Sequence, residues 1–227
     1  MLLTSLLYIS VSFLQDVALW MILPNVFFQA LGRAQFVKYY IHVESTILKV
    51  SEKEEEEDYA LALNDWSSGL AAGIGFGFMH ALLLCGTLIA SEAGDDIGVL
   101  YQDSCPDVPS ILNTAAMAML FSILDIILMF FYFYGVRRKL QTTRMGDADE
   151  WQSKFSSPNF VICTAMTSHA AAGIASLFNA ISSGCYIALP MISIIIFVTC
   201  LYFVKYIMPV YLPAIQKSQI YRQAHLS

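Results

Sequence analysis

The longest uncharged stretch of this chain lies between Lys154 and Lys205. Its 50 residues, 155–204, contain no Asp, Glu, Lys or Arg. As one helix it would extend about 75 Å at 1.5 Å per residue, more than twice the roughly 30 Å hydrocarbon core of a bilayer. Ser182-Ser183-Gly184-Cys185 places turn-forming residues in its middle. The stretch therefore reads as two membrane spans, 159–181 and 186–208, joined by a tight turn.

The same charge-gap rule locates the other spans. Residues 66–91 carry no charge, 108–136 carry only Asp125, and 2–23 carry only Asp16. These gaps predict spans at 66–90, 109–135 and 2–23, with a cytosolic loop at 24–63 and a cytosolic tail at 209–227. Within that loop, 36–50 alternates apolar and polar residues as an interfacial helix does, and the acidic run from Glu52 to Asp58 reads as a solvated segment. Composition agrees. Charged residues are 13% of the chain, against about 25% in soluble domains. Lipid offers no partner to an open sheet edge. The expected fold is therefore all-α, a polytopic membrane helical bundle of about five transmembrane helices forming one domain over 1–227. The first span lacks the basic n-region of a signal peptide, since Arg33 is the first Lys or Arg.

Topology follows from the basic residues. Five spans place all twelve Lys and Arg on one side: Arg33, Lys38, Lys49 and Lys53; Arg137, Arg138, Lys139, Arg144 and Lys154; Lys205, Lys217 and Arg222. The positive-inside rule makes that side cytosolic, so the N-terminus is lumenal and the C-terminus cytosolic. A net charge of −6 without a basic stripe argues against nucleic acid as a partner.

Gly69, Gly73 and Gly77 recur every four residues, and Ala81 continues the pattern. Small residues on one face let another helix approach closely, so the stripe reads as a packing seam, with a glycine hinge as the other reading. Asp16, His80, Asp125 and His169 are the ionisable groups within spans. Such groups turn inward and pair, because exposure to lipid costs on the order of 3 kcal/mol. Asp125 and His169 are each mid-span, so a hydrogen-bonded pair between them is expected. The pair orients helices or lines a polar pathway for substrate or ion. Ser67-Ser68-Gly69 reads as a helix cap. Cys105 and Cys185 fall on the lumenal side, where they form a disulfide or remain two free thiols. Cys85, Cys163 and Cys200 fall within spans. No zinc spacing, cofactor motif or complete hydrolase constellation is present: Gly75-Phe76-Gly77 is followed by Phe78 rather than Asp, and there is no Gly-x-Ser-Gly.

Taken in order, several features resemble the anterior pharynx-defective subunit family of γ-secretase. They are Gly69-x3-Gly73-x3-Gly77, His80-Ala81, a lumenal loop with Cys105, a span with one central polar residue, Ser168-His169, Phe178-Asn179, and Gly184-Cys185 followed by Pro190. Gln15-Asp16 is similar to a Gln-Glu pair in that family's third span. The resemblance covers residues 2–23 and 66–210. It implies a non-catalytic scaffold of an intramembrane aspartyl protease complex that processes membrane proteins, Notch signalling included. The implied partners are presenilin, nicastrin and the small presenilin-enhancer subunit. The implied compartments are the endoplasmic reticulum and Golgi, extending to the plasma membrane. Gly69, Gly73 and Gly77 match the family's assembly-supporting glycine face. Of its two intramembrane histidines, the second matches His169, and Asp125 stands at the first. The family has seven spans, and its first two have no counterpart before Met1, which makes this a short form or a truncated gene model. The alternative from another class is a small membrane transporter or channel using Asp125 and His169 as a polar pathway.

Overall fold

The computed structural model describes residues 18–50, 57–94, 101–145 and 154–209. These form five α-helices: α1 (Ala18–Val50), α2 (Glu57–Gly94), α3 (Ser110–Met145), α4 (Pro158–Ser176) and α5 (Cys185–Tyr202). Four contain segments long and apolar enough to cross a membrane: Asp65–Gly86, Ser110–Leu140, Pro158–Ala180 and Cys185–Ile207. The protein is thus a polytopic helical bundle.

α3 is its axis. Its segment is 61% buried, against 17–28% for the other three. The run Leu128-Met129-Phe130-Phe131-Tyr132-Phe133-Tyr134 is buried all round, as a helix without a polar face must be. α2 packs along one side of it, and α1, α4 and α5 also rest on it. α4 presents Val161, Ala165, His169, Ala172 and Ala175 inward at helical spacing. α5 does the same with Ala188, Ile192, Ile196 and Thr199. A π turn, Phe203–Ile207, then adds one residue to the repeat and keeps Phe203 and Ile207 in the core. There Phe203 stacks on Phe131 and packs with Trp66 and Phe130.

α1 corrects the sequence reading. Residues 24–50 and 57–63 do not form a loop: the chain is helical to Val50 and again from Glu57. The charge-gap rule failed there because Arg33, counted as water-exposed, is 1% exposed and sits inside the bundle. α1 runs the length of the bundle. Ile22 lies against Gly173, Arg33 meets Asp125 and His169, and Glu44 meets Arg137. The stretch 36–50 is therefore part of a bundle helix rather than an interfacial one. Most of the expected span 2–23 lies outside the described residues. The last two residues of the acidic run, Glu57 and Asp58, open α2.

The end of the bundle opposite Arg137 is capped. Tyr101–Gln102 (β1) pairs antiparallel with Cys105–Pro109 (β2). A disulfide joins Cys105 to Cys185, 80 residues away, with Cα atoms 5.6 Å apart. The Ser183 N–H donates to the Asp103 carbonyl at 2.9 Å, and the Cys185 N–H to that of Ser104 at 3.0 Å. The turn reaches this geometry with Ser183 at φ 58°. Gly184 follows because a side chain there would overlap the Phe178 carbonyl.

Candidate functional site

The glycine seam lies on α3. A Cβ on Gly69 would meet the Phe130 ring at 3.0 Å, one on Gly73 the Ile126 Cα at 2.7 Å, and one on Gly77 the Ser122 Cα at 2.9 Å. Real Cβ atoms do not approach backbone that closely, so only glycine permits this separation of the two helices. Ser122 Oγ donates to the Gly77 carbonyl at 3.0 Å across the contact. Ala81, one turn further, is half-buried. Gly75, the other glycine of the sequence motif, has nothing within 4 Å of its would-be Cβ. Sequence reasoning missed Gly135, whose absent Cβ would lie 2.7 Å from Ile162 and which lets α4 approach α3 from another side.

Level with the seam, at the middle of the bundle, polar side chains from four helices converge. Asp125 of α3 is 2% exposed. Its Oδ1 accepts from Arg33 Nη2 of α1, and its Oδ2 accepts from His80 Nδ1 of α2 at 3.1 Å. Arg33 Nη1 donates to His169 Nδ1 of α4 at 3.2 Å, and Nη2 also donates to Gln29 Oε1 one turn back at 3.2 Å. These roles make His169 the acceptor at Nδ1, which places its ring proton on Nε2, and make His80 the donor at Nδ1. The His80 ring stacks on Phe121 at 4.8 Å, and the Arg33 guanidinium lies 5.4 Å from the Phe76 ring centre.

His80, Asp125 and His169 thus come together, but the expected direct bond between Asp125 and His169 is replaced. Arg33 stands between them, because a guanidinium fork has donors enough for both while neutralising the carboxylate. Asp16 lies outside the described residues. A partial signal for Arg33 was present: Gln29 and Arg33 are four residues apart, on one helical face.

A second ionic cluster closes the other end. Arg137 of α3 donates to Glu44 of α1 at 2.5 Å and to Asp65 of α2 at 2.5 Å. Ser68 donates to Tyr40 Oη at 2.8 Å beside it. Ser67 and Ser68 lie inside α2 and cap nothing, since the helix begins ten residues earlier at Glu57.

Each oxygen of Asp125 is engaged, and the cluster pairs one cation with one anion while joining four helices. Such an arrangement fixes helix positions. Among the described residues no group of three or more His, Cys, Asp or Glu is placed to hold a metal ion.

The chain matches the family model described as Aph-1 protein over residues 1–208. A relative from Arabidopsis thaliana, described as gamma-secretase subunit APH1-like, is 25% identical over 175 residues, covering 77% of this chain and 62% of the relative. The chain thus spans less than two thirds of that relative's length. No solved structure matches it. With a family match over almost its whole length and a bundle of apolar spanning helices, this multi-pass membrane protein belongs to the Aph-1 family.

Proposed function

We propose that this chain is a non-catalytic scaffold subunit of a γ-secretase-type intramembrane protease. In this reading it holds presenilin-like, nicastrin-like and presenilin-enhancer-like subunits together and so supports processing of membrane proteins. Membership of the Aph-1 family and the description of the Arabidopsis relative supply the complex. The observation that carries the scaffold role is the engagement of both Asp125 oxygens within a four-helix ionic cluster. A carboxylate engaged at both oxygens by side chains from two other helices holds those helices in place. That favours the scaffold over a transporter in which Asp125 and His169 would face a pathway.

In the proposed topology the Arg137 end is cytosolic and the capped, disulfide-bonded end lumenal, with the chain residing in the endoplasmic reticulum and Golgi. Arg137, Arg138 and Lys139 lie at the first end, and the disulfide at the other suits an oxidising compartment. The Gly69, Gly73 and Gly77 seam keeps α2 on α3, and Asp125, His80 and His169 set the interior that partners meet. A mild-detergent pulldown of the tagged chain with mass spectrometry tests the reading. Presenilin-like and nicastrin-like subunits are expected, and their absence would sink the scaffold function.

A further inference from the structure

α1 differs from the other helices in what it shows to its surroundings. Its inner face is Val26, Ala30, Arg33 and Val37. The opposite side carries Gln35, Lys38 and His42, at i, i+3 and i+7, all exposed. Depth makes this face unusual. Arg33 meets Asp125 at the midpoint of the Ser110–Leu140 span. Gln35 is therefore about 3 Å, and Lys38 about 8 Å, along the helix from the middle of a hydrocarbon layer whose half-thickness is about 15 Å. An amide at that depth requires a partner, and an ammonium there must either pair or reach to the surface. Neither makes a hydrogen bond or ion pair among the described residues. Flanking them are exposed apolar side chains, Leu31, Phe36, Tyr39 and Val43. Lipid suits these, and so does a packed helix.

Among the described residues, the buried acids do not supply the partner. Asp125, Glu44 and Asp65 are buried and engaged with Arg33 or Arg137.

We propose that the outer face of α1 at Gln35 and Lys38 docks a transmembrane helix of a different subunit. That helix carries an Asp or Glu opposite Lys38 and a hydrogen-bonding side chain about one turn away, opposite Gln35. The proposal deepens the scaffold reading by naming the surface and the chemistry of one partner, and it rests on that reading for the existence of a complex.

The test uses the full-length tagged chain in its own cell membranes, solubilised in mild detergent and resolved on native gels. Lys38→Met and Lys38→Glu are expected to lower the fraction in the high-mass assembly by about tenfold or more, as loss of a desolvated charge partner does. Lys38→Arg is expected to retain assembly, and Gln35→Leu to weaken it by about threefold. Persistence of the Cys105–Cys185 bond on non-reducing gels shows that each variant still folds. A Gln35→Leu/Lys38→Met double variant that assembles like the wild type overturns the proposal, because the face then meets lipid with Lys38 reaching to the surface. It is equally overturned if the wild type forms no assembly, or one containing only copies of this chain. An assembly that lacks presenilin-like and nicastrin-like subunits yet is lost in Lys38→Met removes the γ-secretase reading and supports the docking face.

Discussion

Gly73 and Gly75 are two residues apart on α2, and alanine at each should change stability with opposite sign. An alanine at Gly73 would place Cβ 2.7 Å from the Ile126 Cα, where ordinary contact begins near 3.4 Å. The two backbones must part by about 0.7 Å, and neither can yield as a flexible side chain would. A gap of that size forfeits a quarter to a half of each dispersion contact along the seam, and overpacking of this kind costs about 1–3 kcal/mol. Against this, alanine is favoured over glycine within a helix by about 1 kcal/mol. The net for Gly73→Ala is a loss of about 0–2 kcal/mol, centred near 1 kcal/mol. At Gly75 the new methyl meets nothing within 4 Å, so only the helix-forming gain remains, about 0.5–1 kcal/mol. For a chain of this size 1 kcal/mol moves Tm by roughly 2–4 °C. Thermal unfolding in lipid nanodiscs should show Gly73→Ala lowered by about 3 °C and Gly75→Ala raised by about 2 °C. Shifts of the same sign and size would refute the argument that close approach, not glycine itself, is what the seam requires.

Arg33→Met should cost about 3–5 kcal/mol by stranding Asp125 in the core, while Arg33→Met/Asp125→Leu should recover most of it; denaturant titration in mixed micelles compares them, and a double variant no better than the single would count against a paired charge. Arg137→Gln, which leaves Glu44 and Asp65 facing each other, should destabilise by about 2–4 kcal/mol; an unchanged midpoint would mean that the cluster is solvated. Cys105 and Cys185 should resist maleimide labelling in intact membranes until reduced, then take up two labels; labelling of both beforehand would rule out the bond.

What could be read from the sequence depended on where charge was compensated. The apolar segments of α2, α3, α4 and α5 were legible because uncharged residues run nearly the length of a bilayer between charged ends. α1 was not, because Arg33 and Lys38 interrupt it as they would a loop, and no local pattern shows that Arg33 is neutralised by a residue 92 positions later. The glycine repeat revealed the seam, since its spacing matches the helix period. It could not reveal that Gly135 serves a second close approach alone. Asp125, His80 and His169 were legible as isolated polar residues in apolar runs. Their mutual connection was not, because it passes through the residue assigned to the loop.

The long separation between Arg33 and Asp125 also sets an order of events during synthesis. At about 5–20 residues per second, roughly 5–20 s pass between the making of Arg33 and the making of Asp125. Through that interval α1 carries a guanidinium whose carboxylate does not yet exist, so its place in the bilayer is provisional. It settles only when α3 arrives with the counter-charge and α2 and α4 bring the two imidazoles. The ionic cluster that holds four helices in the finished protein therefore forms late: a nascent chain that stops before α3 carries an uncompensated guanidinium in α1.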